Sequence, residues 1–444
     1  MRVLYESQRA MREIRNQALQ RGTVAVLDVG TTKIACLIIE FRGAKRQNED
    51  PELRSLAFQS DFGIIGASTT QSRGIDMGEI RSMRDAESAI RNALQAAQRM
   101  ARTRVDHVII CFSGASQKSH GLGAQIKIED TVVSEQEIGR VLATCDMPDD
   151  DDGYDVLHAQ PVNFSLDHRS GLTDPRGQVG HTLSVDMHML TVDGTLVQTL
   201  LNCIKRCDLE VAGLASSAYM SGIAALVEDE QELGAACIDM GGGTTSLSVF
   251  MRKHMIFADC VPIGGNSLTN DISLGLNIGL VQAERIKALH GGVHLTGIDD
   301  REIIDIGAEP GDWNNYRRSV SRSELFGIMR PRVEEIFEEV KARLDGAGFD
   351  HLPSQQIVLT GAGSQIPGLD LVASRILGYQ VRLGRPMRIA GLPQSATGPG
   401  FSAVIGLSLF AACPQDEWWD FGMPSDRNSP LSVTRMVKWF RDNW

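Results

Sequence analysis

Val24-Ala-Val-Leu-Asp-Val-Gly-Thr-Thr-Lys33 and Ala236-Cys-Ile-Asp-Met-Gly-Gly-Gly-Thr-Thr245 decide the fold, because the chain uses one phrase twice. Each copy is a short apolar run that ends in an aspartate, then glycine and paired threonines, then a second apolar run (Ile34 to Phe41 and Leu247 to Phe250). The pattern predicts a strand, a tight turn and a returning strand. Glycine permits close backbone approach, so a row of N–H groups can face an anion, while an aspartate at a strand end can hold a hydrated cation. Two such hairpins facing one another would grip a polyphosphate and its magnesium from both sides.

The chain has 444 residues, too many for one core, and its length fits about two to four domains. A hydrophobic content of 42% and a charged content of 23% are those of an ordinary soluble protein. The net charge of -12 argues against nucleic acid as the main partner, since phosphate binding needs a basic surface. Eight cysteines are scattered singly without a CxxC, which speaks against zinc and fits a reducing cytoplasm; Cys203 and Cys207 read as packing residues. The arginine-rich N-terminus lacks the apolar core of a signal peptide, and no 18-residue apolar run predicts a membrane span.

Residues 1–22 read as a basic, partly helical or disordered extension. Residues 84–160 read as a compact unit: an amphipathic helix, strands His107 to Phe112 and Ala124 to Ile128, a helix opened by Ser134 and Glu137, and a closing strand from Val156 to Leu166. The aspartates at 149–152 lack EF-hand spacing and read as a solvated loop. Strands and helices alternate over 183–235, which predicts a layered α/β unit. Residues 413–430, rich in Pro, Asp, Glu, Ser and Asn, read as a flexible linker.

A third turn, Gly361-Ala-Gly-Ser-Gln-Ile-Pro-Gly-Leu369, follows a buried strand. This ordered trio resembles the actin/Hsp70/sugar-kinase superfamily. The resemblance implies an α/β, two-lobed ATPase fold with duplicated ribonuclease-H-like cores. It further implies that Asp28 and Asp239 hold magnesium, largely through water. Gly30, Thr31, Thr32, Gly241, Gly242, Gly243, Thr244 and Thr245 would donate to the phosphates of ATP, with Lys33 as a charge partner. Glu284 and Lys287, three apart on one helical face, would reach ribose and adenine; the same spacing is that of a surface ion pair. Gly361, Ala362 and Gly363 would lie against the adenine. Actin-like ATPases carry Gln or Glu before the second hairpin to orient water, and Gly213-Leu-Ala-Ser-Ser-Ala-Tyr-Met220 has neither, so slow or negligible turnover is expected.

The last fourteen residues differ in kind. On a helical wheel Val433, Met436, Val437, Phe440 and Trp444 share a face, Trp439 lies at its edge, and Arg435, Lys438 and Arg441 lie opposite. This is the pattern of a helix lying in the headgroup region, with docking on the protein's own core as the alternative. Burial of each apolar side chain yields at most about 1.5 to 3 kcal/mol, against an ordering cost of roughly 1 to 2 kcal/mol per residue. One helix should therefore bind weakly, and several joined in an oligomer far better.

From the first hairpin to the final tryptophan the chain resembles the FtsA family. The resemblance rests on Ser72-Arg-Gly-Ile-Asp-Met-Gly78, Val156-Leu-His-Ala-Gln-Pro161, Leu233-Gly-Ala-Ala-Cys-Ile-Asp-Met-Gly-Gly-Gly-Thr244, Ala283-Glu-Arg-Ile-Lys287 and Val358 to Leu369. It implies a subdomain 1C inserted into an actin-like fold. The expected divisions are an extension (1–22), subdomain 1A (23–83 and 161–215), 1C (84–160), 2A (216–260 and 326–412), 2B (261–325), a linker (413–430) and a membrane-targeting helix (431–444). It also implies a peripheral protein at the division site, on the cytoplasmic face of the inner membrane. Such a protein polymerises with itself, contacts membrane lipids, binds the C-terminal tail of FtsZ and helps recruit later divisome proteins. Arg317, Arg318, Ser319 and Arg322 would dock that acidic, apolar tail, although each arginine alone reads equally as part of a solvated loop. A small-molecule kinase of the same superfamily would need a catalytic aspartate and no terminal helix. An Hsp70-type chaperone would need a further substrate domain, and the pilus-assembly relative lacks the helix at Val433 to Trp444.

Overall fold

The computed structural model describes residues 2–41, 62–129, 131–145, 153–294, 302–307 and 318–421. Helix α1 (Arg2–Arg21) leads into β1 (Thr23–Val29), which pairs antiparallel with β2 (Lys33–Phe41), and β2 in turn with β3 (Phe62–Gln71). Val24 to Leu27 are buried throughout, as a central strand covered on both faces requires. A short ribbon, β4 (Ile75–Asp76) and β5 (Glu79–Ile80), precedes helix α2 (Met83–Ala101). Ala86, Ala89, Ile90, Ala93, Leu94 and Ala97 form its buried stripe, which packs on β2 and β3. Strand β6 (His107–Phe112) then joins β1 in parallel.

The chain next leaves this sheet. Strand β7 (Gln117–Lys127), helix α3 (Glu135–Ala143), and strands β8 (Tyr154–Leu166), β9 (Arg169–Leu172) and β10 (Thr182–Asp193) build a four-stranded antiparallel sheet of order β7-β10-β8-β9. Ile138, Val141 and Leu142 of α3 share a core with Met187 and Met189 of β10. Helix α4 (Gly194–Lys205), capped by Asp193, returns the chain, and β11 (Glu210–Ser216) completes the first sheet in parallel with β6.

The second half repeats the plan. After α5 (Ser217–Ala225) and α6 (Glu228–Leu233), strands β12 (Ala235–Met240), β13 (Thr245–Met251) and β14 (His254–Val261) form an antiparallel meander. Helices α7 (Gly265–Leu276) and α8 (Leu280–His290), the ribbon β15 (Ile303–Gly307) and β16 (Arg318–Ser321), and the long helix α9 (Arg322–Gly346) follow. Strand β17 (Gln356–Thr360), helix α10 (Leu369–Leu377), strand β18 (Val381–Leu383) and helix α11 (Ser402–Ala412) end the fold. The two five-stranded sheets run β3-β2-β1-β6-β11 and β14-β13-β12-β17-β18, the same topology with the same strand directions. Helices α5 and α11 pack on each other between the sheets; α5 covers β12 and β13, and α11 covers β1, β2 and β6. Each half thus lends its helix to the other. Gly406 makes the crossing possible, because an added Cβ there would strike the Met220 carbonyl.

Three expectations about organisation change. The unit read at 84–160 does not coincide with a sheet: α2 and β6 belong to the first sheet, and the inserted sheet runs from Gln117 to Asp193. Strand β6 is an apolar run that fits any core, and only its pairing with β1 and β11 assigns it. For the same reason the first sheet's chain resumes near 194 rather than at 161. The N-terminal extension is a docked helix: Met11 and Ala18 are buried, Gln8 Nε2 donates to Leu157 O at 3.1 Å, and the Arg15 guanidinium lies 5.8 Å from the Phe410 ring centroid. Residues 413–421, read as flexible, pack closely against the body. Glu417 is buried among donors from 158–160, and Trp418 donates to Leu142 O at 3.2 Å.

Candidate functional site

Both hairpins close with one geometry. Gly30 N–H donates to Lys33 O at 3.1 Å, and Gly241 N–H donates to Thr244 O at 2.9 Å. Asp28 stands opposite Ala35 and Asp239 opposite Ser246, each one residue before its strand ends. The two tips abut. A Cβ on Gly243 would lie 2.5 Å from Thr31 Oγ1, and one on Gly242 would lie 2.9 Å from Thr32 Oγ1. Glycine is required at 242 and 243 because the opposite hairpin fills the space of a side chain. The first tip is braced by Ser72 N–H to Thr32 O at 3.0 Å and by Gly78 N–H to Thr31 Oγ1 at 3.3 Å.

Below the tips lies a buried charge cluster. Burial raises the pKa of Asp28 to about 6; Lys33 opposes this and Asp239 adds to it. Burial likewise raises Asp239, against a hydrogen bond donated by the Ser221 hydroxyl to its Oδ2 and against the Lys33 charge. Burial lowers the Lys33 pKa, while Asp28 and Asp239 hold it up. Lys33 Nζ sits 3.5 Å from the Phe401 ring centroid, a cation–π contact that ties the first hairpin to the second half. Two carboxylates that burial makes costly to ionise, with one lysine whose charge acts on both, fit a site that accepts a divalent cation and an anion together.

The third turn closes on the same point. Gly361 has φ of +87°, and a Cβ there would strike Asp239 Oδ1; one on Gly363 would lie 2.5 Å from Met240 Cγ. The 3-10 turn at Ala362–Gln365 therefore wraps the end of β12. Lys287 Nζ donates to Gly265 O at 2.9 Å and to Thr269 Oγ1 at 2.7 Å, and pairs with Glu284 at 2.6 Å. Gly265 N–H in turn donates to Gly241 O at 2.9 Å, so Glu284 and Lys287 are an ion pair that also braces the wall of the second hairpin.

The Thr245 hydroxyl is not presented at the tips. The residue is fully buried, and its hydroxyl donates to Ile263 O at 2.8 Å, inside the wall rather than toward the tips. It is the first residue of β13, paired with Met240, and so already lies beyond the tip. Ser319 lies in β16 opposite Asp305, and Arg322 pairs with Glu302 at 2.9 Å, which reduces its availability to an acidic peptide. Arg318 belongs to β16; Arg317 and the segment Val433 to Trp444 lie outside the described residues. Sequence reasoning missed Ser221, Phe401, Gly265 and Gly264, where a Cβ would lie 2.7 Å from Gly242 O and so press on the second tip. Ser221 sits in a helix of small residues where no pattern marks it, whereas the paired glycines that open α7 were a visible signal.

Two sheets of one topology that bring aspartate-bearing glycine hairpins together make this an actin-like protein. The fold is similar to that solved in the PilM-PilN type IV pilus biogenesis complex (15% identity, TM-score 0.59, covering 88% of this chain and 99% of that one). It is also similar to MreB5 of Spiroplasma citri, solved bound to ADP (14% identity, TM-score 0.51, covering 87% and 95%). Residues 236–406 match the family described as cell division protein FtsA, and residues 114–191 the SHS2 domain inserted in FtsA, which spans nearly all of the β7–β10 sheet. Over 429 residues the chain is 38% identical to the cell division protein FtsA of Agrobacterium fabrum, covering 95% of each. The chain belongs to the FtsA family of cell-division proteins. Among the described residues no helix is long and apolar enough to cross a membrane.

Proposed function

We propose that this protein binds ATP and magnesium between its two hairpins, polymerises on the cytoplasmic face of the inner membrane, and tethers FtsZ filaments there. Its C-terminal amphipathic helix supplies the membrane contact, and the assembled protein helps recruit later divisome proteins. The observation that carries the nucleotide reading is the buried cluster of Asp28, Lys33 and Asp239 beneath two abutting glycine tips. Bound magnesium would neutralise the charge of the phosphates and of both carboxylates. Asp28 and Asp239 hold the cation's water shell, and the N–H groups of the tips from Gly30 to Thr32 and Gly241 to Thr244 orient the phosphates. Lys33 contributes positive charge. Turnover is slow, since residues 213–220 contain no Gln or Glu to orient water.

Membrane attachment is tested by co-sedimentation of FtsZ with liposomes, comparing the full chain with one that ends at Ser429. The full chain should bring FtsZ down with the lipid and the shortened one should not; equal recruitment by both overturns the anchor reading. Charge reversal at Arg318 and Arg322 tests the FtsZ site, and unchanged affinity for the FtsZ tail removes both residues from it.

A further inference from the structure

The segment after α11 is fastened to both halves of the molecule. Glu417 Oε1 accepts from His158 Nδ1 at 2.7 Å and from Gln160 Nε2 at 3.2 Å, and its Oε2 accepts from Ala159 N–H at 2.6 Å. Gln415 Nε2 donates to Lys253 O at 2.7 Å, in the turn between β13 and β14 of the second half. Trp418 donates to Leu142 O of the inserted unit, and Asp420 pairs with Arg12 of α1. A buried carboxylate taking three N–H donors is held far more firmly than a linker composition suggests.

These contacts converge on α5, which carries Ser221, the partner of Asp239. Ser216 N–H, at the start of α5, donates to His158 Nε2 at 3.0 Å, so the ring must carry its proton on Nδ1, the atom that faces Glu417. Tyr219 of α5 donates to Gln415 Oε1 at 3.0 Å and accepts from Gln160 Nε2 at 3.1 Å. One short helix therefore touches the site aspartate through Ser221 and the C-terminal strap through Tyr219, while Glu417 of the strap reaches the helix's N-terminal edge only by way of His158. The Thr31 and Thr32 side chains fill the space beside Gly242 and Gly243, so a phosphate chain drawn between the tips has to part them, and the two halves carrying the tips meet through the α5–α11 pair. The strap spans those same halves.

We infer that residues 415–421 are a latch that opposes this shift, so that nucleotide binding and docking of the root of the C-terminal tail compete. The inference rests on the nucleotide reading above. Linkage makes the effect reciprocal: loosening the strap tightens nucleotide binding by the factor with which nucleotide loosens the strap.

Hydrogen exchange of the wild-type full chain, with and without saturating Mg-ATP, reads one side; Mg-ATP affinity of Glu417→Ala and Gln415→Ala reads the other. Expected are faster exchange over 413–421 with nucleotide and an affinity gain of about five-fold or more in a folded variant. Gln415→Ala removes the bond to Lys253 O and the one from Tyr219, whose hydroxyl keeps Gln160, and the wild-type exchange needs no variant, so misfolding of Glu417→Ala leaves the test intact. Unchanged or slower exchange over 413–421, or unchanged or weaker affinity in Gln415→Ala, overturns the latch. A wild type that binds no Mg-ATP overturns the nucleotide reading itself, and is told apart by that first titration.

Discussion

Thr31 and Gly243 meet tip to tip: a methyl group on Gly243 would lie 2.5 Å from the Thr31 hydroxyl oxygen and 3.0 Å from its Cβ and Cγ2. Thr31 is held from behind by Gly78 N–H, so it cannot retreat freely. Gly243→Ala should spread the tips at a cost of about 1–3 kcal/mol, seen as a fall in the thermal unfolding midpoint. Adding Thr31→Gly should restore most of the loss, because the two positions share one contact. If the double variant falls as far as the sum of the singles, the tips do not touch in solution.

Asp28 predicts a pH effect whose sign is fixed by burial. Its folded pKa of about 6 lies above the ordinary carboxylate value of 3.8, so between those values the folded protein binds more protons than the unfolded chain. Stability then falls as pH rises through that window, and above pH 6 the full penalty is present, on the order of 2–3 kcal/mol. Asp28→Asn should raise the unfolding midpoint at pH 8, leave it nearly unchanged at pH 4, and weaken the magnesium dependence of nucleotide binding, which Asp239 alone then supports. Equal midpoints at pH 8 for wild type and variant would show that Asp28 ionises without penalty.

Gly361 is required by both backbone and neighbour. Its φ of +87° is one that side chains rarely adopt, and a Cβ would strike Asp239 Oδ1. Gly361→Ala should therefore displace Asp239 from Ser221 and weaken Mg-ATP binding more than it lowers the unfolding midpoint. Ser221→Ala, which removes the same hydrogen bond without crowding, should weaken binding less. A Gly361→Ala variant with wild-type affinity would disconnect the third turn from the site.

How much of this was legible follows from how local each feature is. The hairpins carry their signal within ten residues, as apolar run, aspartate, glycine and returning run, and the duplicated plan was readable from two copies. Strand β6 is equally local, but its place in the first sheet depends on pairing with strands about eighty residues before it and one hundred after. The strap was misread because its composition is polar, and Glu417 becomes a core residue only through donors at 158–160. Helix α1 was misread for the opposite reason: its arginines dominate the composition, while the residues that dock it, Gln8, Met11, Arg15 and Ala18, show no apolar run.

That helix carries the last prediction. Strand β11 is the outer strand of the first sheet, and α1 lies against it. An uncovered edge invites pairing with another chain. Ala18 is fully buried, so Ala18→Asp places a charge with no partner in that contact and should undock the helix. Arg15, whose pKa is lowered chiefly by burial, would lose its place over Phe410 in the same event. Light scattering on a size-exclusion column should then show concentration-dependent association for Ala18→Asp and for a chain lacking residues 1–21. The exposed Arg9→Glu should behave as wild type, which separates loss of packing from loss of positive charge. If Arg9→Glu associates as strongly as Ala18→Asp, the arginines rather than the buried face are what α1 contributes.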